Sequence, residues 1–384
     1  MDRSNGKSGN LMAGRLPGAA IDVDELRVML TEHQPVTVLD IRTAEDRAEW
    51  AIPESMHIDA YEALKAGNPG VLADVAISMD APVVTVCGAG KVSITAMEQL
   101  LDRGYNARSL AGGMKAWSLA WNSAEVPVPG SAATVIQVRR TGKGCLSYLI
   151  GNEGQAVVID ASLAPEIYQD LATEQGWIIT HVLDTHVHAD HLSRSRLLAE
   201  QTGATLHVPE QDRVTYPFTP IRDGDTLEIG SSRIVAMRTP GHTLESTSYF
   251  LDGNVLFTGD TLFLAGVGRP DLEASAEEAR TRARLLYRSL QRLIALPAET
   301  LILPGHTSEP VPFDGRPIAA TLADVISRVT MLAMSEDAFM DEILARIPPT
   351  PPNHAQIVAL NEAGEMPQGD LTELEAGANR CAVS

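Results

Sequence analysis

Apolar residues fall in short runs over the first third of the chain. V-T-V-L-D (36–40), V-V-T-V (83–86) and A-R-S-L (107–110) are each four or five residues long. Between them, apolar positions recur at helical spacing over 22–30 and 93–103, and Asp22 followed by Glu25 opens the first of these stretches. That pair predicts a capped helix start. Short strands separated by helices predict parallel pairing with helices on both faces, a small α/β domain. E-V-P-V-P-G-S (125–131) then breaks the pattern, and its prolines and glycine predict an extended linker. Beyond it strand-like runs crowd together: T-V-I-Q-V, C-L-S-Y-L-I, A-V-V-I-D and W-I-I-T-H-V-L-D, then S-S-R-I-V-A-M-R, T-S-Y-F-L and N-V-L-F-T-G-D. Helical stretches at 165–175, 193–202 and 274–296 lie among them, which predicts a sheet sandwich flanked by helices. Helices near 318–332 and 338–346 follow, then an irregular tail. The expected spans are 18–124, a linker at 125–132, 133–310, and an extension at 311–384.

Composition adds exclusions. The chain has 384 residues, 44% hydrophobic and 21% charged, ordinary values for a globular protein. A formal net charge of −20 offers no basic field for nucleic acid. The polar start Met1–Asn10 has no signal-peptide core, and no run reaches the ~18 apolar residues of a membrane span. Cys87, Cys145 and Cys381 are too sparse for a disulfide framework. A reduced, cytoplasmic protein is expected, and a homo-oligomer is compatible with the sequence.

Chemistry enters at T-H-V-H-A-D-H (185–191), which holds three of the chain's ten histidines. It follows a strand and precedes a helix, so its side chains can converge. His242 in T-P-G-H-T, Asp260 ending V-L-F-T-G-D and His306 ending L-I-L-P-G-H occupy similar positions after strands. Imidazole and carboxylate are suitable ligands for zinc or ferrous iron, so these motifs together predict a metal site.

T-H-V-H-A-D-H, P-G-H-T, T-G-D-T-L-F and P-G-H resemble the metallo-β-lactamase fold family, in its glyoxalase II and persulfide dioxygenase branch, over roughly 133–307. The resemblance implies an αβ/βα sandwich with the metal at one edge, and it gives Asp160 the task of orienting the histidine loop. Two chemistries are implied. In a glyoxalase II, two zinc ions would be held by His186, His188 and His242, and by Asp190, His191 and His306, with Asp260 bridging; the metals activate hydroxide against a thioester. In a persulfide dioxygenase, one Fe(2+) per chain would be held by His186, His242 and Asp260, with open positions for sulfur and dioxygen. The remaining motif residues, Asp190 among them, would then support the site from around it. G-R-P-D (268–271) resembles the dioxygenases. The acidic tail 362–384 shows no basic glutathione-binding signature. Asp190, Arg269 and Asp271 are expected at the catalytic site, with an internal ion pair as the alternative for Arg269.

V-C-G-A-G-K-V-S puts Cys87 at a strand end, in a glycine-bearing loop entering a helix, where backbone amides favour the thiolate. With V-L-D-I-R (38–42) and L-A-G-G-M-K-A-W (110–117), most of 21–121 resembles a rhodanese (sulfurtransferase) domain. Val92 stands where that family carries arginine, with Lys91 one residue earlier, so loss of bidentate arginine geometry is expected. The leading expectation is an iron-dependent persulfide dioxygenase coupled to a rhodanese domain whose nucleophile is Cys87. Its substrate would be a small-molecule thiol persulfide, oxidised to sulfite, with persulfide or thiosulfate as the small-molecule sulfur partner of the rhodanese domain. The alternatives are a dinuclear thioester hydrolase and a metallohydrolase whose rhodanese domain only docks or senses. Arg280, Arg284, Arg288 and Arg292 are expected to form a solvated, acid-neutralised helix face.

Overall fold

The computed structural model describes residues 19–383. The polar start Met1–Asn10 and residue 18 of the first expected span lie outside the described residues.

The first body is a parallel five-stranded sheet in the order Ala20–Ile21, Ala107–Leu110, Val83–Val86, Thr37–Asp40, Met56–His57. Val83–Val86 is buried along its whole length because apolar clusters cover both faces. Leu39, Val83, Ala96 and Leu100 pack on one side; Ile21, Val84, Val86 and Trp117 pack on the other. Asp22 caps the helix Val23–Thr31 by accepting from the Glu25 amide at 2.7 Å, as its spacing predicts.

The second body starts earlier than the proline pattern suggests. Asn122–Val126 pairs antiparallel with Thr134–Arg139 as the edge strand of a seven-stranded sheet. Glu125 and Val126, expected in the linker, therefore belong to the sheet; the ladder stops at Pro127, which has no N–H to donate. A six-stranded sheet faces the first. Tyr148, Ile150, Val157 and Ile159 from one meet Ile234, Tyr249, Leu251 and Phe257 from the other in a shared core. Pro165–Glu174 and Ser195–Thr202 cover the outer face of the first sheet. Ala276–Ile294 covers the second, with the C-terminal helices Leu322–Arg328 and Glu336–Ala345 against it. The result is helices, two sheets and helices. No helix of the described residues is long and apolar enough to cross a membrane.

Local boundaries differ at capping positions. The long helix begins at Ala276, not 274, because Ser275 and Glu278 close a capping box. Cys145 precedes the strand Leu146–Asn152 and bridges to His306. The tail is less irregular than expected: His354–Ala363 is helical, and Ala382–Val383 pairs antiparallel with Val267–Gly268. The arginine stripe meets acids: Arg280 with Asp341, Arg284 and Arg288 with Glu336, Arg292 with Asp223.

Candidate metal centre

Parallel pairing builds the site. Gln155–Ile159 lies beside Ile178–Leu183, so Asp160 and the stretch Asp184–His191 leave the sheet at one edge. In the other sheet, Val255–Gly259 lies beside Leu301–Pro304 and brings Asp260 to His306. His242 arrives from the turn after Ser232–Arg238.

Hydrogen bonds then fix which nitrogen of each histidine faces inward. Asp160, in a left-handed conformation (φ 55°), accepts from the Thr185 amide at 2.7 Å and from the Thr185 hydroxyl at 2.8 Å. That hydroxyl, its proton committed, lies 2.9 Å from His186 Nδ1 and accepts from it. His242 Nδ1 donates to the Arg269 carbonyl at 2.8 Å. Both rings are thereby left with Nε2 as the free lone pair, the arrangement that prepares an imidazole for a metal. These nitrogens lie 3.8 Å (His186) and 3.6 Å (His242) from Asp260 Oδ2, a buried oxygen without a hydrogen-bond partner. Asp260 Oδ1 meets His306 Nδ1 at 2.5 Å. Burial, followed by neighbouring imidazole charge at His188, holds His186 neutral; burial likewise lowers His242. Burial alone would raise the Asp260 carboxyl, but the charge of His306 and its hydrogen bond to Oδ1 outweigh it and keep the group ionised. Metal–ligand bonds of about 2.0–2.2 Å put neighbouring donors roughly 3–3.5 Å apart. Two neutral imidazoles and one carboxylate near that spacing fit a divalent cation.

A second group turns largely upon itself. Cys145, Asp190, His191 and His306 offer donor atoms within 4.8 Å of one another. His191 Nδ1 is 3.0 Å from Asp190 Oδ1, and the Cys145 thiol donates to Asp190 Oδ2 at 3.4 Å. His306 Nε2 is 2.9 Å from Asp190 Oδ2 but off the hydrogen-bond direction. Burial and Asp190 raise the Cys145 thiol, yet His191 and His306 bring it down to about 6. His188 turns its Nε2 to Asp160 Oδ1 at 3.2 Å, in a group with Asp184, while its Nδ1 is buried without a hydrogen-bond partner and its ring lies 4.3 Å from that of His186.

The G-R-P-D segment buttresses the centre. A Cβ on Gly268 would come within 2.0 Å of the Asp260 carbonyl oxygen, so only glycine lets this strand pass. Arg269 is fully buried, and its guanidinium bonds Asp271 twice at 2.8 Å and the carbonyls of Pro348, Pro349 and Arg380. All its donors are engaged. Arg269 thus forms an internal ion pair, with Asp271 as its partner.

In the first body, the Cys87 loop packs on the Gly112–Gly113 turn: Met114 N–H donates to the Cys87 carbonyl at 2.9 Å. A Cβ on Gly113 would lie 2.2 Å from that carbonyl oxygen. The Cys87 sulfur accepts from the Ser93 amide at 3.4 Å and donates to the Ser93 hydroxyl at 3.3 Å. The expectation of several amides around the sulfur narrows to this one, in the first turn of the helix Val92–Asp102. The sulfur is buried toward Ser93, while Lys91 and Ala89 line a cavity of about 640 Å³ shared with Lys115, Trp121 and Glu373. Val92 packs partly into the core, and Lys91 and Lys115 both supply cationic side chains to that cavity.

Sequence reasoning missed the tail's part in the site. Glu375, wholly buried, pairs with Arg140 at 2.9 Å and with Arg194, and it accepts the Leu192 amide at 2.6 Å. Asn361 donates to the carbonyls of His188 and His191 at 2.8 and 2.9 Å. Asn379 donates to Asp190 Oδ2 at 3.0 Å, and Cys381 lies within 4.8 Å of donor atoms of Asp260 and His306. No motif marked these residues; only their long-range contacts do.

Comparison with known proteins agrees with this architecture. Residues 140–306 match the metallo-beta-lactamase superfamily and residues 22–120 the rhodanese-like domain. A hydroxyacylglutathione hydrolase of Rhodospirillum rubrum is 38% identical over 156 residues, 40% of this chain and 57% of its own length. The protein of that name from Rhizobium johnstonii is 36% identical over the same extent. The chain thus spans 57% of the length of these curated relatives. Among solved structures, ETHE1 from Myxococcus xanthus is 34% identical, with a TM-score of 0.52 over 60% of this chain and 98% of that one. A metallo-beta-lactamase from Staphylococcus aureus subsp. aureus COL is 27% identical, with a TM-score of 0.56 over 62% and 74%.

Proposed function

Because the chain belongs to the metallo-beta-lactamase superfamily, with a rhodanese-like domain joined to it, we propose that it is an iron-dependent persulfide dioxygenase coupled to a sulfurtransferase. Its substrate is a small-molecule thiol persulfide, which with dioxygen and water gives the thiol, sulfite and two protons. One observation carries the mononuclear reading. His186 and His242 are each locked by an oxygen acceptor at Nδ1 and aim Nε2 at the unpartnered Oδ2 of Asp260, whereas Asp190, His191 and Cys145 bond one another. When bound, ferrous iron supplies open positions for the substrate sulfur and dioxygen. The chain's residues do the rest. Thr185 and the Arg269 carbonyl hold the two rings, and the buried setting excludes bulk water. In the other domain, the Cys87 thiolate attacks the outer sulfur of thiosulfate; the S–S bond breaks, sulfite leaves with the electron pair, and a cysteine persulfide remains.

A second reading is a dinuclear thioester hydrolase with two zinc ions. His191 Nε2 and His306 Nε2, both buried without hydrogen-bond partners, favour it, as do the hydroxyacylglutathione hydrolase relatives. Ligand substitution separates the two. His186→Ala, His242→Ala and Asp260→Ala should each lose iron. His188→Ala should keep it, with affinity reduced by about 10–100-fold through altered support of the ligands. If His188→Ala emptied the site as completely as His186→Ala, the mononuclear assignment would be wrong.

A further inference from the structure

The C-terminal segment runs from the mouth of the Cys87 loop to the metal centre. Asp370, Thr372 and Glu373 line the cavity beside Lys91. Glu375 then anchors the chain in the Arg140–Arg194 pair, and Asn379 reaches Asp190 Oδ2. The end is fixed by strand pairing of Ala382–Val383 with Val267–Gly268. One peptide unit separates the two roles of Arg269: its N–H donates to the Cys381 carbonyl at 3.0 Å, and its own carbonyl holds His242. Cys381 is therefore placed by the same strand that orients a donor histidine. Cys381 is 1% exposed, and its sulfur, an Asp260 oxygen and a His306 nitrogen form a group of donors within 4.8 Å that shares Asp260 with the group of His186 and His242. Asp260 Oδ2 and His306 Nε2 are both buried and without hydrogen-bond partners.

We propose that Cys381 is a tail-borne ligand to the metal that Asp260 holds, so that the C-terminal strap brings a protein sulfur to the centre. The inference rests on the reading of Asp260 as a metal ligand. On coordination the Cys381 S–H bond breaks, the proton leaves to solvent, and a sulfur lone pair forms the metal–sulfur bond. Thiolate is a soft donor that zinc, cobalt and ferrous iron all accept. The strap would then close the site beside Asp260, and an external persulfide would bind there in place of Cys381, its S–H proton passing to the released Cys381 thiolate.

The test uses full-length protein loaded with cobalt(II) alone, read by absorption for the thiolate-to-cobalt charge-transfer band. Wild type should bind about one cobalt per chain and show the band. Cys381→Ser should keep the cobalt and lose the band, while Cys145→Ser and Cys87→Ser keep both. A band lost in Cys145→Ser and kept in Cys381→Ser overturns the proposal, as does cobalt bound by wild type with no band. Cobalt unbound by wild type overturns the reading of the Asp260 site and the proposal with it. Should Cys381→Ser fail to fold, X-ray absorption on the iron-loaded Cys145→Ser protein decides. One sulfur scatterer in the first coordination shell is expected, and none overturns the assignment.

Discussion

The Cys87 loop and the metal centre are assembled in opposite ways. Around Cys87 the chain makes nearly everything locally: the sulfur touches Ser93 six residues on, and the loop rests on the turn at Gly112–Gly113. The metal centre joins strand ends from two sheets, His186 to His306, and is then closed by a tail reaching Cys381. A local loop can lose its nucleophile and remain a loop. A centre gathered from distant segments depends on buried charges that must all arrive together, so its failures spread.

Exchanging the defects breaks this comparison most sharply. Asp260→Ala should abolish oxygen consumption while leaving sulfur transfer from thiosulfate intact. Cys87→Ser should do the reverse: sulfur transfer is lost, because a hydroxyl is a far weaker sulfur nucleophile at neutral pH, and oxygen uptake with a ready-made small persulfide survives. If Cys87→Ser left sulfur transfer unchanged, the first domain would be a docking module, in keeping with Val92 where arginine is expected.

Glu375 should give the next largest effect. Glu375→Ala leaves Arg140 and Arg194 buried without their carboxylate, and removing one member of a buried ion pair costs about 3–5 kcal/mol. Burial would raise the Glu375 carboxyl, but Arg140 and Arg194 pull it well below its ordinary value of 4.5. A depressed carboxyl stabilises the fold fully above that ordinary value and less as pH falls below it. Wild-type unfolding midpoints should therefore drop on acidification below about 4.5, and Glu375→Gln should flatten that part of the curve. An unchanged profile would show that the tail anchor bears no charge in the folded protein.

The smallest effect belongs to the long helix. Arg288→Ala removes an exposed pairing with Glu336 at 3.6 Å and should change stability by about 0–1 kcal/mol, read as denaturant midpoint. A much larger loss would mean that the arginine face carries a contact beyond these ion pairs.

Strand-and-helix periodicity made both bodies legible, since strands buried on two faces read as continuous apolar runs. The histidine motifs were legible for a related reason: each donor directly follows a strand, so spacing in sequence becomes convergence in space. The edge strand Asn122–Val126 was hidden by the prolines that end it. The tail was hidden because its work is done by single residues. Glu375, Asn379 and Cys381 carry no periodicity, and only their partners at Arg140, Asp190 and Asp260 disclose them. Arg269 was legible as a motif, but the partners of its five committed donors lie partly in the tail and were not.

The most direct test of the central claim is the metal content of protein purified without oxygen, taken together with its oxygen balance on a small-molecule persulfide. The account predicts about one iron per chain and oxygen consumed in step with sulfite formed. Two zinc ions per chain, with thioester cleavage and no oxygen uptake, would contradict it.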